Sequence, residues 1–196
     1  MEIALCILYG SLLLELIFFH VPSVANTQVF FTNDPSVLNN YNTYQYVFKW
    51  SKQQKVMYLI IPHILNILAF FFPLLVVFFH KNAWGTMATV GVFIAILGRL
   101  FSFYAMLQIR KNNSQENGQF ELHTNGIFSI SRNPIQLGMY LFYIGICMIN
   151  FEYFLLIPFL IYFFYNDFRI KIEEDFLEVK FKEAYFNYKF KTRRYL

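Results

Sequence analysis

Two short stretches hold most of the residues in this chain that could do chemistry. The first, "FELHTNGIFSISRNPIQLG", runs from Phe120 to Gly138. Gly126 permits a turn with positive φ. Pro134, preceded by Asn133, suits the first turn of a following helix. Arg132 then stands beside the N–H groups of a helix start, a combination that favours a carboxylate or phosphate. Alone the signal is weak, because a loop entering a membrane helix often has this composition.

The second stretch, "FRIKIEED", Phe168 to Asp175, follows directly on the apolar "YFLLIPFLIYFFYND". Arg169 and Glu173 are four apart and share a helical face. Such a pair is either an ordinary ion pair worth about 0.2–0.5 kcal/mol or a holder for a polar ligand at a membrane edge. Ile170, Phe176, Leu177, Phe181, Tyr185 and Tyr188 recur at helical spacings, so the tail reads as an amphipathic helix with its lysines on lipid headgroups.

The elements that position these stretches follow from composition. The chain has 196 residues, 57% hydrophobic and 21% aromatic, with only 14% charged. Soluble domains carry about 25% charged residues. Apolar runs account for the deficit. Met57 to Phe79 and Trp84 to Leu107 each fall within the roughly 17–25 residues a spanning helix needs. Ile3 to Val21 is read as a retained first span: its "VPSVA" ending resembles a cleavage site, but no basic residue precedes Lys49, as a secretory signal would require. Ile135 to Ile149 and Tyr153 to Phe168, broken by "NFE", form a short hairpin. The five passes must be helices, because lipid cannot satisfy backbone polar groups.

The expected fold is therefore an all-α integral membrane protein. It has about five transmembrane helices, a short helical hairpin and a C-terminal amphipathic cytoplasmic helix. Five passes leave 14 of the 16 basic residues on one side, which the positive-inside rule makes cytoplasmic. The net charge of +4 then points to anionic membrane lipid, with no nucleic acid implied.

Cys6 and Cys147 both lie in apolar runs and read as small buried hydrophobes. No metal-ligand spacing, P-loop, GxGxxG or HExxH occurs. The chain reads as one domain overall, in which residues 1–55 are a first transmembrane helix plus a long loop.

Together the two stretches read L-x-T-x-G-x-F-x-x-x-R-N-P, a hairpin, then R-x-x-x-E-E-x-x-L-x-x-x-F-x-x-x-Y-x-x-Y. The pattern is carried by Leu122, Thr124, Gly126, Phe128, Arg132, Asn133 and Pro134, then Arg169, Glu173, Glu174, Leu177, Phe181, Tyr185 and Tyr188. It resembles the isoprenylcysteine carboxyl methyltransferase family and the related phospholipid N-methyltransferases, over roughly Gly91 to the C-terminus. The resemblance makes residues 56–196 a methyltransferase-like membrane domain with S-adenosylmethionine as cofactor, bound at the cytoplasmic face. It implies that Phe120, Glu121, Leu122 and His123 line the cofactor with the ring of Phe128. Asn133, Pro134, Ile135 and Gln136 would cradle it, Glu173 would hold one of its polar parts, and Gly126, Arg132 and Glu174 would complete the set.

Arg169 would face the acceptor, a lipid-like or prenylated molecule. A carboxylate acceptor needs no general base and would be oriented by Arg169. An amine or thiol must lose a proton, for which His123 is the nearest titratable group. The family's frequent RHPxY is "RNPIQ" here, so no titrating group stands at Asn133 and no ring at Gln136. Arg99, in "ILGRLF", is a charge at membrane depth. It either snorkels or pairs with an acid, or it lines the acceptor entrance.

Overall fold

A computed structural model describes residues 2–15, 51–61, 64–65, 67–68, 71, 85–115, 122–150 and 155–196. Every regular element among the described residues is helical. The chain divides into two compact units, Met1–Leu74 and Leu75–Leu196.

In the first unit, α1 (Glu2–Glu15) covers most of the expected first span. Leu8 and Leu12, four apart, are buried, and the Ser11 hydroxyl donates to the Leu8 carbonyl at 2.6 Å. A single helical turn, Lys52–Lys55, continues as a π-helix over Val56–Ile60. The expected span Met57 to Phe79 is described only in part.

The second unit carries the motif residues. Its first helix, α2 (Thr86–Gln115), contains a 24-residue apolar stretch, Thr86–Ile109. At 1.5 Å per residue that stretch is about 36 Å long, enough for a hydrocarbon core of about 30 Å. Among the described residues it is the helix long and apolar enough to cross a membrane. The next helix, α3 (Pro134–Asn150), is apolar but shorter.

Small residues let α2 and α3 touch backbone to backbone. Ala88, Gly91, Ala95, Gly98, Ser102 and Ala105 recur at alternating three- and four-residue intervals, one stripe along α2. Opposite them on α3 stand Gly138 and Gly145. A Cβ placed on Gly98 would lie 2.5 Å from both the Gly138 carbonyl oxygen and the Phe142 nitrogen. One on Gly145 would lie 2.5 Å from the Gly91 carbonyl oxygen. Gly91 therefore faces Gly145 and Gly98 faces Gly138, an antiparallel pair. Lipid offers no hydrophobic drive between helices, so close packing of this kind must supply the association.

Helix α4 (Leu156–Phe181) runs through the apolar segment and on past Arg169 without a break. Tyr162, Asn166, Ile170 and Glu174, each four residues on from the last, are its buried face. The Tyr162 hydroxyl donates to Gln136 Oε1 at 3.1 Å, joining α4 to the first turn of α3. Tyr140 of α3 lies 4.9 Å from Phe163, and Tyr143 stacks on Phe159 at 4.8 Å, both measured between ring centres.

The tail differs from the sequence expectation of one amphipathic helix. α4 ends at Phe181, Lys182 takes φ 46°, and α5 (Glu183–Lys191) begins. The reversal brings Lys189 onto Glu178. It also buries Tyr185 and Tyr188, which the periodicity had placed on the same face as Ile170 and Phe176. A non-glycine residue with positive φ persists only when its surroundings hold it there. Here the Lys182 N–H donates to the Glu178 carbonyl and its own carbonyl accepts from Phe186, at 2.9 and 3.0 Å.

Arg99 lies about 15 Å along the helix from Ile109 and is only 6% exposed. Its Nη1 contacts the Ser102 hydroxyl at 3.5 Å and the Met139 sulfur at 3.4 Å, and its guanidinium lies 5.8 Å from the centre of the Phe142 ring. Its charge is thus turned toward α3 within the helix pair.

Candidate functional site

The loop that enters α3 is shaped by its own sequence. Gly126 has φ +62°, the positive value expected of it, and opens a 3-10 turn, Gly126–Ser129. A Cβ there would come within 2.6 Å of the Gln108 amide, so closeness adds to the demand for glycine. Gln108 clasps the turn from α2: its Nε2 donates to the Asn125 carbonyl at 2.7 Å, and its Oε1 accepts from the Ile127 N–H at 3.3 Å. The turn buries Ile127 and Phe128 against Ala105, with Phe101, Ile109 and Ile135 packed around them. This packing sets the His123 ring 5.8 Å from that of Phe128.

The next three residues are tied to the end of the chain. The N–H groups of Arg132 and Asn133 donate to the carbonyls of Arg193 and Arg194 at 2.9 and 3.1 Å. The Ser131 hydroxyl also donates to the Arg194 carbonyl, at 2.9 Å. The tail has therefore taken the two N–H groups that immediately precede Pro134.

Arg132 is equally committed. Its Nε and Nη2 donate to Glu174 Oε1 at 3.2 and 2.9 Å. Its Nη1 donates to the carbonyls of Lys189 and Thr192 at 3.1 and 2.5 Å. Glu174, only 4% exposed, takes a second cation. Arg194 donates from Nε to Oε1 at 3.2 Å and from Nη2 to Oε2 at 2.5 Å, while its Nη1 reaches Asp167 at 2.9 Å. Lys171 closes the chain of charges on Asp167 at 2.8 Å.

A buried carboxylate is stable only when paired and hydrogen-bonded. Burial by itself raises the Glu174 carboxyl, but hydrogen bonds from Arg194 and Arg132 outweigh it and hold the group below the usual carboxylate range. A depressed carboxyl contributes stability at pH values above its unfolded pKa, about 4.3, and that stability is lost as pH falls through the folded value. On the other side of the loop the Tyr188 hydroxyl donates to the Phe128 carbonyl at 2.6 Å. Burial pushes that hydroxyl up to about 12, so it stays a donor.

The adjacent glutamates face different surroundings. Glu173 is 42% exposed and pairs with Arg169, itself 23% exposed, at 3.2 Å. This is the i,i+4 pair expected from the spacing. Its side chain is exposed, whereas both oxygens of the buried Glu174 accept from arginines.

The structure thus brings Arg132, Glu174 and the Asn133 turn together, with Gln136 one turn further on against α4. Leu122 and His123 precede the turn outside any regular element and are half-buried, with the His123 ring near that of Phe128. Pro134 is fully buried. Arg99 lies deeper, within the helix pair. Phe120 and Glu121 fall outside the described residues. Sequence reasoning missed Gln108, Asp167 and Arg194. It noted Tyr188 in the motif without assigning it a bond. Only Asp167 carries a local spacing signal, with Lys171 four residues on; the loop and tail contacts of all four span 17 to 60 residues.

An apolar helix pair that encloses Arg99, with a cluster of ion pairs beside the loop at one end, is the arrangement of a membrane-associated helical protein with a polar site at one face. The phospholipid methyltransferase (PEMT) family matches residues 86–184, and this chain belongs to that family. The match runs from the start of α2 into α5 and includes every motif residue from Leu122 to Glu174. The resemblance seen in the motif residues is borne out at that level, and a methyltransferase is the activity the family carries. No curated protein and no solved structure matches the chain.

Proposed function

We propose that this protein is a membrane-embedded methyltransferase that uses S-adenosylmethionine and acts on a lipid-like acceptor entering sideways from the bilayer. The observation that carries the reading is the pair of contrasted glutamates: Glu174 locks the loop to the helix leaving the hairpin, and Glu173 beside it stays reachable. In this reading the chain makes five passes, and the loop, the tail and the site lie on the cytoplasmic side, as the 14 basic residues on that side support.

The residues present fit the cofactor. His123 and Phe128 form an aromatic pair of the kind an adenine stacks on. The exposed side of Glu173 suits ribose hydroxyls or an ammonium. Leu122, Gly126 and the turn from Asn133 to Gln136 shape the wall, with Phe120 and Glu121 leading into it. The bound cofactor supplies an electrophilic methyl group on a positively charged sulfur. Arg169 orients the acceptor for in-line attack, so positioning is the main catalytic contribution. Exclusion of water by the packed loop favours a step in which charge is neutralised.

The acceptor of first choice is a carboxylate of the isoprenylcysteine type, already ionised near neutral pH and matched to the Arg169 guanidinium. The family match favours a second reading, a phospholipid amine, for which His123 is the group placed to take the proton. A small thiol fits the same role. A non-catalytic protein that keeps the fold is the rival from another class.

Titration of the purified protein is expected to show S-adenosylmethionine binding below millimolar concentration; its absence leaves the non-catalytic rival. Alkali treatment of radiolabelled product then separates the chemistries. A methyl ester releases methanol, and an N-methyl product does not. If Arg99 lines the acceptor path, Arg99→Ala lowers turnover and leaves cofactor affinity in place. Unchanged turnover makes Arg99 a packing residue of the helix pair.

A further inference from the structure

The family match ends at residue 184, yet the loop that opens α3 is held by residues 189–194. Thr192, Arg193 and Arg194 give it three carbonyls, and Lys189 a fourth. Arg194 adds a side chain that reaches two carboxylates of α4 at once, Asp167 and Glu174. Tyr195 then packs its ring 5.5 Å from that of Tyr140, anchoring the tail on α3 as well.

From these contacts we infer that Arg194 is a positioning residue: it clamps Glu174 onto Arg132 and seats the tail carbonyls on the Arg132 and Asn133 N–H groups, which fixes the turn that cradles the cofactor. The inference rests on the cofactor reading above. The mechanism is charge balance. Glu174 faces Arg132 from the loop, Arg194 and Tyr195 from the tail, and Tyr185 from α5, with Asp167 on its own helix held by the same Arg194. Without Arg194, one cation faces a buried carboxylate whose burial still favours the neutral form. The Glu174 carboxyl then rises, and the Arg132 clamp is lost as pH falls through the raised value.

Full-length protein in detergent micelles, as wild type, Arg194→Gln and Arg194→Lys, tests this with S-adenosylhomocysteine as probe. Calorimetric affinities are taken between pH 5.5 and 8, and hydrogen exchange is followed over residues 131–133. Wild type is expected to bind with a nearly flat pH profile. Arg194→Gln should bind about tenfold more weakly at pH 7.5, the size of one lost charged hydrogen bond. Its affinity should fall further toward pH 5.5, and exchange at residues 131–133 should quicken. Arg194→Lys keeps the charge but cannot span both carboxylates, so it should fall between the two.

A wild-type affinity and pH profile in Arg194→Gln, or in Arg194→Lys if the glutamine variant does not fold, overturns the inference. Wild type that fails to bind the probe at all sinks the cofactor reading instead. In that case the exchange rates alone decide the clamp: quicker exchange in the variants upholds it, and unchanged exchange removes it.

Discussion

Gly98→Leu and Gly138→Leu are expected to remove folded protein from the membrane fraction. Even a methyl group at either position meets backbone atoms at 2.5–2.6 Å, and backbone cannot rotate out of the way as a side chain can. Overpacking in ordinary cores costs about 1–3 kcal/mol. Alanine at these positions should cost that much and leucine more, against a total stability of about 5–15 kcal/mol. Gly10 supplies the contrast within the same chain. Nothing lies within 4 Å of a Cβ there, so Gly10→Ala should gain roughly 0.5–1 kcal/mol from helix propensity. Thermal unfolding followed by size-exclusion chromatography in detergent ranks all of these variants. Wild-type melting of Gly98→Leu would show that the two helices do not pack through this seam.

The second large effect separates neighbouring residues. Glu173→Ala is expected to fold and to lose cofactor binding by about 10–100-fold, the range of one or two charged hydrogen bonds. Glu174→Ala is expected to fail earlier, in folding, because it leaves Arg132 and Arg194 without their shared partner. Breaking a buried ion pair from one side costs about 3–5 kcal/mol. Arg169→Ala gives the third outcome, normal cofactor affinity with transfer stopped. The three differ because Glu173 and Arg169 form a half-exposed pair worth little to stability, whereas Glu174 is enclosed between two guanidiniums. Affinity, turnover and melting temperature measured on the same preparations distinguish them. Equal behaviour of Glu173→Ala and Glu174→Ala would remove the division of labour between them.

Much of the site could be read before any coordinates, but only where its cause is local. The positive φ of Gly126 follows from the residue itself. The Arg169–Glu173 pair follows from a spacing of four on a helix. The helix start at Pro134 follows from a missing N–H and a fixed φ. Each needs only a few consecutive residues. The break in the tail has no such local signal: the spacing from Ile170 to Tyr188 stays helical across Lys182, and nothing in that lysine marks a division into two helices. The turn is held by what lies beyond it, Tyr188 on the Phe128 carbonyl and Lys189 on Glu178.

The amino-acid sequence determined the apolar helix Thr86–Ile109, the small-residue stripe along it, the motif loop and the family. These depend on composition and on periods of three to four residues. The tertiary structure alone decided which glycine faces which, that two arginines enclose Glu174 while its neighbour stays open, and that the end of the chain closes the loop 60 residues before it. Charge pairs and backbone bonds between distant segments leave no period in a sequence, because any ionised residue or peptide group could have been the partner until the chain folded.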